Sequence, residues 1–168
     1  LAGRAALHLG AGRTYVGTLD AQTPPCDPLQ PELMMRGAEA LLTTPLEALA
    51  CGPGIGTSPE AKRLLEHACT LNLPLLLDAD ALNLLALEGD LDTAVATRRA
   101  PTLLTPHPAE AARLLDASVA DVQADRIAAA SELADRFNAH VALKGCGTVI
   151  MTPDGNWSVN TTGNPGMG

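Results

Sequence analysis

The chain is almost without large aromatic side chains: among 168 positions Tyr15, Phe137 and Trp157 are the only Tyr, Phe or Trp. A core of stacked aromatics is excluded, and the 46% of residues that are hydrophobic must fill the interior mainly with Leu, Ala, Val and Ile. Such side chains suit helices packed on a sheet. Lysine is nearly absent, with Lys62 and Lys144 the only two. Acidic residues outnumber basic ones by 19 to 11, a formal charge of -8, so a broad basic surface for nucleic acid or anionic lipid is excluded. An anionic ligand must be met locally, by backbone N–H groups or an isolated cation. Cysteine is scarce and scattered: Cys26, Cys51, Cys69 and Cys146 show no C-x-x-C spacing, in a chain large enough to need no disulfide staples. That pattern predicts free thiols in a reducing compartment. No run approaches the roughly 18 apolar residues of a spanning helix, and Leu1 to Leu9 carries Arg4 and His8 without a small-residue cleavage site. A cytoplasmic protein is expected, with neither membrane nor nucleic acid as partner.

The length fits one domain with one sizeable core. A helical opening segment meets stop signals at Gly10 and Gly12, and Arg13 to Leu19 alternates like a strand. A proline-rich connection, Thr23 to Pro31, leads to a short apolar segment at Glu32 to Met35 and a weak helix over Gly37 to Leu42. From Leu46 onward, short apolar runs alternate with helical patterns. Ala48 to Cys51 precedes a helix over Ser58 to Leu71, and Pro74 to Leu77 precedes one over Ala81 to Ala86. Thr102 to Thr105 precedes Pro108 to Leu115, a further helix is predicted over Val119 to Asn138 with Asp121 as an early-turn acid, and His140 to Leu143 follows as a strand. Continuous apolar strands separated by helices predict a parallel sheet. The pattern then changes: Thr148 to Thr152 and Trp157 to Val159 flank Pro153-Asp-Gly-Asn156, a hairpin signal. No internal repeat, low-complexity segment or second domain is visible.

In an open α/β sheet, ligands bind beyond the carboxyl ends of the strands. Each predicted parallel strand is followed by an unusual cluster: Gly52-Pro-Gly-Ile-Gly56, Asp78-Ala-Asp80 with Asn83, Thr105-Pro-His107-Pro-Ala-Glu110, and Lys144-Gly-Cys-Gly-Thr148. The glycines permit positive φ and close ligand approach, or simply a tight turn. A carboxylate at Asp78 or Asp80 suits Mg²⁺, a ribose hydroxyl or a protonated ring, and one of the two suits a helix cap. Glu110 suits the first turn of a helix, while His107, held between two prolines, suits substrate contact or proton transfer. Lys144 beside flexible N–H groups and a hydroxyl suits a phosphate or ribose; a solvated lysine in a tight turn is the plainer alternative. The closing Asn160-Thr-Thr-Gly-Asn164-Pro-Gly-Met-Gly168 reads as the start of a further ligand loop.

Taken in order, these segments, with Leu1-Ala-Gly-Arg-Ala-Ala-Leu7, Gly10-Ala-Gly12 and Leu77-Asp-Ala-Asp-Ala-Leu-Asn83, resemble the ADP/ATP-dependent NAD(P)H-hydrate dehydratase family, a carbohydrate-kinase-like branch of the ribokinase superfamily. The resemblance implies a single ribokinase-like domain: a three-layer α/β/α sandwich with a mostly parallel central sheet and a C-terminal β-hairpin. It implies a hydro-lyase that dehydrates NADHX or NADPHX at the expense of ADP or ATP, with Mg²⁺ as cofactor, by phosphorylating the ring hydroxyl and eliminating phosphate. Lys144, Gly145, Cys146, Gly147 and Thr148 would line the nucleotide site, and Gly54 and His107 would touch the hydrated nicotinamide. With the rim residues added, the expected substrate-binding set is Gly54, Gly56, Asp78, Asp80, His107, Glu110, Asn160 and Asn164. The family continues Asn-Pro-Gly-Met into Gly-x-Gly-Asp, whose aspartate activates the hydroxyl. This chain stops short of that segment, so no catalytic residue is assigned within it, and truncation at both ends is expected. A homo-oligomer is also expected, since a sheet lacking its first strand exposes an edge. The alternatives are a small-molecule kinase of the same superfamily, acting on a vitamin precursor or sugar, and a non-catalytic nucleotide-binding module.

Overall fold

A computed structural model describes residues 1–162 of the chain. Two sheets form. In the smaller, β1 (Tyr15–Thr18) and β2 (Met34–Gly37) pair in parallel, with Tyr15 opposite Met34. Successive side chains on a strand point to opposite faces. Gly17 therefore meets α2 (Ala38–Leu42), where an added Cβ would come within 3.1 Å of Leu41 Cδ1, while Val16 meets Gly3 of α1 (Ala2–His8). The small sheet is held between two helices, the layering expected of the fold.

The larger sheet positions the site. Its order is β3 (Leu49–Cys51), β4 (Leu75–Leu77), β5 (Thr102–Leu104), β6 (His140–Leu143), β7 (Thr148–Met151) and β8 (Trp157–Asn160). The first four run parallel, and β7 and β8 add an antiparallel hairpin. Parallel crossovers are right-handed, and these strands follow one another across the sheet without reversal, so the connecting helices collect on one face. They are α3 (Pro59–Thr70), α4 (Asp80–Leu87), α5 (Asp90–Ala96), α6 (Pro108–Leu114), α7 (Val119–Ala124) and α8 (Arg126–Phe137). Leu75, Leu77, Leu104, Val141, Leu143, Val149 and Met151 point toward them and are buried. Ala50, Leu76, Leu103, Ala142 and Ile150 point the other way and are half-buried or exposed. Among the described residues this sheet carries one helical layer, and the expected α/β class with its mostly parallel sheet and terminal hairpin stands.

The helices form where the sequence supplies both a stripe and a stop. In α3, Ser58 accepts from Ala61 N at 3.3 Å, Pro59 fills the first turn, and Ala61, Leu64, Leu65, Ala68 and Cys69 make one buried face. In α8, Ala129, Ala130, Leu133, Ala134 and Phe137 face the sheet, and Asn138 ends the helix in the left-handed region at φ 46°. The alanines let α8 lie close to β6 and β7, so the fully buried Phe137 fills the one large gap. One predicted helix was wrong in its extent and one helix was missed. The helix expected over Val119 to Asn138 is broken at Asp125, whose φ of -143° is non-helical and whose carboxylate accepts from Ala128 N at 2.9 Å. A side chain that caps a new helix competes with continuing the old one. Helix α5 was not predicted at all; its stripe is only Leu91 and Val95, both buried.

Candidate functional site

Because β3, β4, β5 and β6 run the same way, their carboxyl ends meet at one rim; β8 runs parallel to β6 and brings Asn160 there, opposite Thr148. The expected clusters are thus neighbours.

The three glycines after β3 have different reasons to be glycine. Gly52 is buried with φ +131°, and a Cβ there would land on the Asp78 carbonyl oxygen, 2.8 Å from its carbon and 2.9 Å from Ala81 Cβ. It allows β3 and β4 to close together, with Asp78 N donating to Cys51 O at 3.1 Å. Gly54 and Gly56 sit at φ +75° and +70°, exposed, with open space where a Cβ would lie. They keep the shelf bare.

Neither aspartate caps α4, which corrects one expectation. The N-cap is Ala79, held at φ 52° without a side-chain bond, a strained backbone for a non-glycine residue. That twist sends its two neighbours' carboxylates to different partners. Asp80 accepts from Gly56 N at 2.9 Å and from Asn83 Nδ2 at 3.5 Å, and Arg113 Nη1 donates to Asn83 Oδ1 at 2.7 Å. Asp78 takes Lys144 Nζ at 2.7 Å. Partial burial is the largest influence on the Asp78 carboxyl and raises its pKa; the Lys144 hydrogen bond, the Thr105 hydroxyl, the Lys144 charge and the Ala79 N–H together outweigh it and hold the value below the ordinary 3.8.

His107 and Glu110 form a capping box at the start of α6. His107 Nδ1 accepts from Ala109 N at 3.1 Å and Glu110 N at 3.2 Å, while Glu110 Oε2 accepts from His107 N at 2.7 Å. A histidine in the N-cap role was not foreseen; Nδ1 acts as acceptor, so the ring proton sits on Nε2, 3.3 Å from Glu110 Oε1. Glu110 is 6% exposed and also lies 3.8 Å from Lys144 Nζ. The rim therefore carries one ammonium between two carboxylates, one buried and one not.

Lys144 leads into the turn at 145–147. Its N–H donates to Pro106 O at 2.8 Å, continuing the sheet, while the N–H groups of Gly145, Cys146 and Gly147 meet no acceptor among the described residues. Thr148 Oγ1 donates to Gly145 O at 3.4 Å. Unspent successive amides beside a cation form an anion cradle. Asn160 Oδ1 accepts from Thr162 N at 3.0 Å and Thr162 Oγ1 at 2.7 Å, so its acceptor is occupied; Asn164 lies outside the described residues.

All four cysteines are unpaired. Burial, helped by neighbouring Cys69, pushes the Cys51 thiol up to about 12, and burial pushes Cys69 up to about 11, so neither acts as a nucleophile near neutral pH. No group of three His, Cys, Asp or Glu side chains converges on a metal position among the described residues. Asp78 and Glu110, the nearest carboxylates to the turn, both face Lys144. These residues do not make a Mg²⁺ cage. A cavity of about 550 Å³ opens at the carboxyl ends of β1 and β2, beside Arg36 and Asp20, and one of about 510 Å³ lies at the opposite end of β4 and β5, around Arg98 and Arg99. The rim itself is an open shelf.

Sequence reading missed the helix side chains that hold these loops. Arg113 reaches across to Asn83, and Arg126, at the start of α8, reaches the turn after β6. Arg113 is the penultimate residue of α6 and Arg126 the first of α8, a boundary that lay inside the single helix predicted over Val119 to Asn138.

The architecture is that of the ribokinase-like superfamily. The structure of a ribokinase-like superfamily protein from Enterococcus faecalis superposes with a TM-score of 0.78 at 27% identity, over 98% of this chain and 58% of that one. A model of the NAD(P)H-hydrate dehydratase family matches residues 1–168, and the chain belongs to that family. It is 41% identical to the ADP-dependent (S)-NAD(P)H-hydrate dehydratase of Neisseria meningitidis over 173 residues, 99% of this chain and 57% of that protein. It is 36% identical to a bifunctional NAD(P)H-hydrate repair enzyme of Thermofilum pendens, covering 99% of this chain and 34% of that protein. The ADP/ATP-dependent NAD(P)H-hydrate dehydratase of Bacillus subtilis, co-crystallised with ATP/Mg²⁺, has a TM-score of 0.79 at 31% identity over 97% of this chain and 60% of that one. The chain thus spans between about a third and three fifths of these relatives.

Proposed function

We propose that these residues form the ligand shelf of a hydro-lyase that converts hydrated NADH or NADPH to the reduced dinucleotide, consuming ADP or ATP. Family membership supports the reaction class. The observation that carries the assignment of sides is the turn after β6, with three amides beside Lys144 that meet no acceptor among the described residues, at the same rim as the bare glycines after β3. The nucleotide phosphates lie at Lys144, Gly145, Cys146, Gly147 and Thr148; the hydrated nicotinamide lies toward Gly54, Gly56 and His107, with Asp78, Asp80, Glu110 and Asn160 around it.

The chemistry asks for two steps. Hydroxide is a poor leaving group, so the ring hydroxyl oxygen first attacks the terminal phosphorus of the nucleotide, and the bond to the departing ADP or AMP breaks. The ring carbon then loses phosphate, which takes the bonding pair, and a proton leaves the neighbouring carbon to complete the double bond. Lys144 contributes by neutralising phosphate charge, for which its ammonium must leave Asp78. Magnesium carried by the nucleotide would supply further neutralisation of phosphate charge, the described residues offering no cage for it, and no described residue is assigned as the base that takes the hydroxyl proton. Asp80, tied to Gly56 N, holds the glycine shelf in place. The same reading includes a homo-oligomer and a cytoplasmic setting; sedimentation of the protein tests the former.

The test is incubation of the protein with chemically hydrated NADH plus ADP or ATP, following the return of NADH absorbance. Nucleotide-dependent recovery supports the reading. Stable phosphorylation of an alcohol with no NADH formed would replace it by a superfamily kinase, and binding of ADP without turnover of any substrate would leave a nucleotide-binding module.

A further inference from the structure

Among the described residues the turn between β6 and β7 has a single hydrogen bond of its own, from Thr148 Oγ1 to Gly145 O at 3.4 Å. It is organised by Arg126. One guanidinium nitrogen, Nη2, donates to Leu143 O at 2.9 Å, Gly147 O at 3.2 Å and Lys144 O at 3.3 Å, while Nη1 donates to Gln123 Oε1 at 3.1 Å. Nε is buried and has no partner among the described residues, so the guanidinium is held through its two terminal nitrogens. Gly145 takes its identity from the same contact. A Cβ at Gly145 would lie against Nη1, 3.0 Å from Nη2 and 3.1 Å from Cζ, on a backbone with φ +148°. The glycine that sequence reading assigns to ligand approach is required, on this side, by the arginine.

Peptide planarity converts that anchoring into a statement about the other side of the turn. In a trans peptide the C=O and N–H point in opposite directions. Drawing Lys144 O inward to the guanidinium turns Gly145 N–H outward; engaging Gly145 O with Thr148 Oγ1 does the same for Cys146 N–H. Leu143 O is held by Arg126 while its partner, Lys144 N–H, goes to Pro106 O. Among the described residues the carbonyls of Leu143, Lys144, Gly145 and Gly147 are engaged, while the N–H groups of Gly145 and Cys146 on the opposite side of their peptides meet no acceptor. A flexible Gly-Cys-Gly turn without this anchor samples orientations that point carbonyl oxygens, which repel phosphate, toward the shelf.

We propose that Arg126 is a positioning residue for the nucleotide: touching no ligand, it fixes the polarity of the turn at 145–147 so that its amides face the phosphates. The proposal rests on the nucleotide reading above and goes beyond it by assigning the preorganisation to a side chain on α8. Its signature is a split between kinetic constants. Arg126→Ala in the intact protein raises the KM for ADP or ATP by about tenfold or more, the value of losing charge-assisted hydrogen bonds. The kcat at saturating nucleotide stays within about threefold, and the KM for the hydrated dinucleotide is unchanged, because interactions shared by ground and transition states alter KM alone. Millimolar guanidinium restores nucleotide affinity to Arg126→Ala, and Arg126→Lys, which keeps the charge but not the planar fork, falls between the two. Should Arg126→Ala fail to fold, Arg126→Lys carries the same comparison. An unchanged nucleotide KM in the folded variants, or a proportional change in both KM values, overturns the proposal. Calorimetric titration of Lys144→Ala and Thr148→Ala with ADP separates the two ideas: if these lose binding while Arg126→Lys does not, the positioning role alone fails, and if none loses binding, the nucleotide reading fails with it.

Discussion

Replacing Gly52 by alanine probes the joint on which the shelf depends. The added methyl lands on the Asp78 carbonyl, 2.8 Å from its carbon, and 2.9 Å from Ala81 Cβ, where the obstacle is backbone and the first buried residue of α4 rather than a flexible tip. A strained φ adds about 1–3 kcal/mol and overpacking about 1–3 kcal/mol more. Their sum centres near 4 kcal/mol, which in a domain of this size lowers Tm by roughly 8–16 °C. Gly54→Ala is the control, with φ +75° in the left-handed region and open space around the new atom. Its cost is only the conformational one, about 1–2 kcal/mol, or a Tm fall of roughly 2–8 °C. Paired thermal and denaturant unfolding of the two variants checks the difference. Equal losses would show that Gly52 is a turn residue like its neighbours and would refute the claim that it closes β3 on β4.

Other expectations follow from the same contacts. Asp78→Asn removes the partner of Lys144; with the two side chains 27% and 42% exposed, solvent limits the loss to less than about 1 kcal/mol. Because the folded Asp78 pKa lies below 3.8, its contribution is present above that value and disappears as pH falls through the folded pKa, so wild type and variant converge on the acid side in urea titrations at stepped pH. Glu110→Ala breaks the capping box and lowers stability by about 1–2 kcal/mol by chemical denaturation, while Glu110→Gln recovers much of it because the amide oxygen still accepts from His107 N. Mild alkylation of the native protein near neutral pH labels the exposed Cys26 and Cys146 and spares Cys51 and Cys69, by mass spectrometry of digested peptides; saturating ADP slows labelling at Cys146 if phosphates occupy that turn.

The sheet was legible because its parallel strands are short apolar runs. Leu75-Leu-Leu77 can be little else, and each such run ends at a residue that breaks apolar continuity, which is also where the chain leaves the sheet. Helix boundaries were harder to see. Asp125 looks like one more polar position on a long amphipathic pattern, and only its backbone geometry shows that it starts a second helix. Helix α5 was invisible for the opposite reason: seven residues carry just two buried side chains, too few for a period to register.

The site was legible as a set of places and only partly as a set of roles. Strand direction alone gathers Gly54, Asp78, His107 and Lys144 at one rim, so residues chosen for being unusual at strand ends were bound to be neighbours. Roles depend on pairings that cross dozens of positions, such as Lys144 with Asp78 and Arg126 with Gly147, and no local pattern carries them. The consequence reaches the chemistry. In the proposed nucleotide site, a free lysine would accept any anion, whereas a lysine held by Asp78 and close to Glu110 would yield to a ligand whose phosphates also engage the turn amides. On that proposal, the pairing that would weaken phosphate binding at Lys144 would also make it selective, since ligand and turn must be correctly placed before the cation is released.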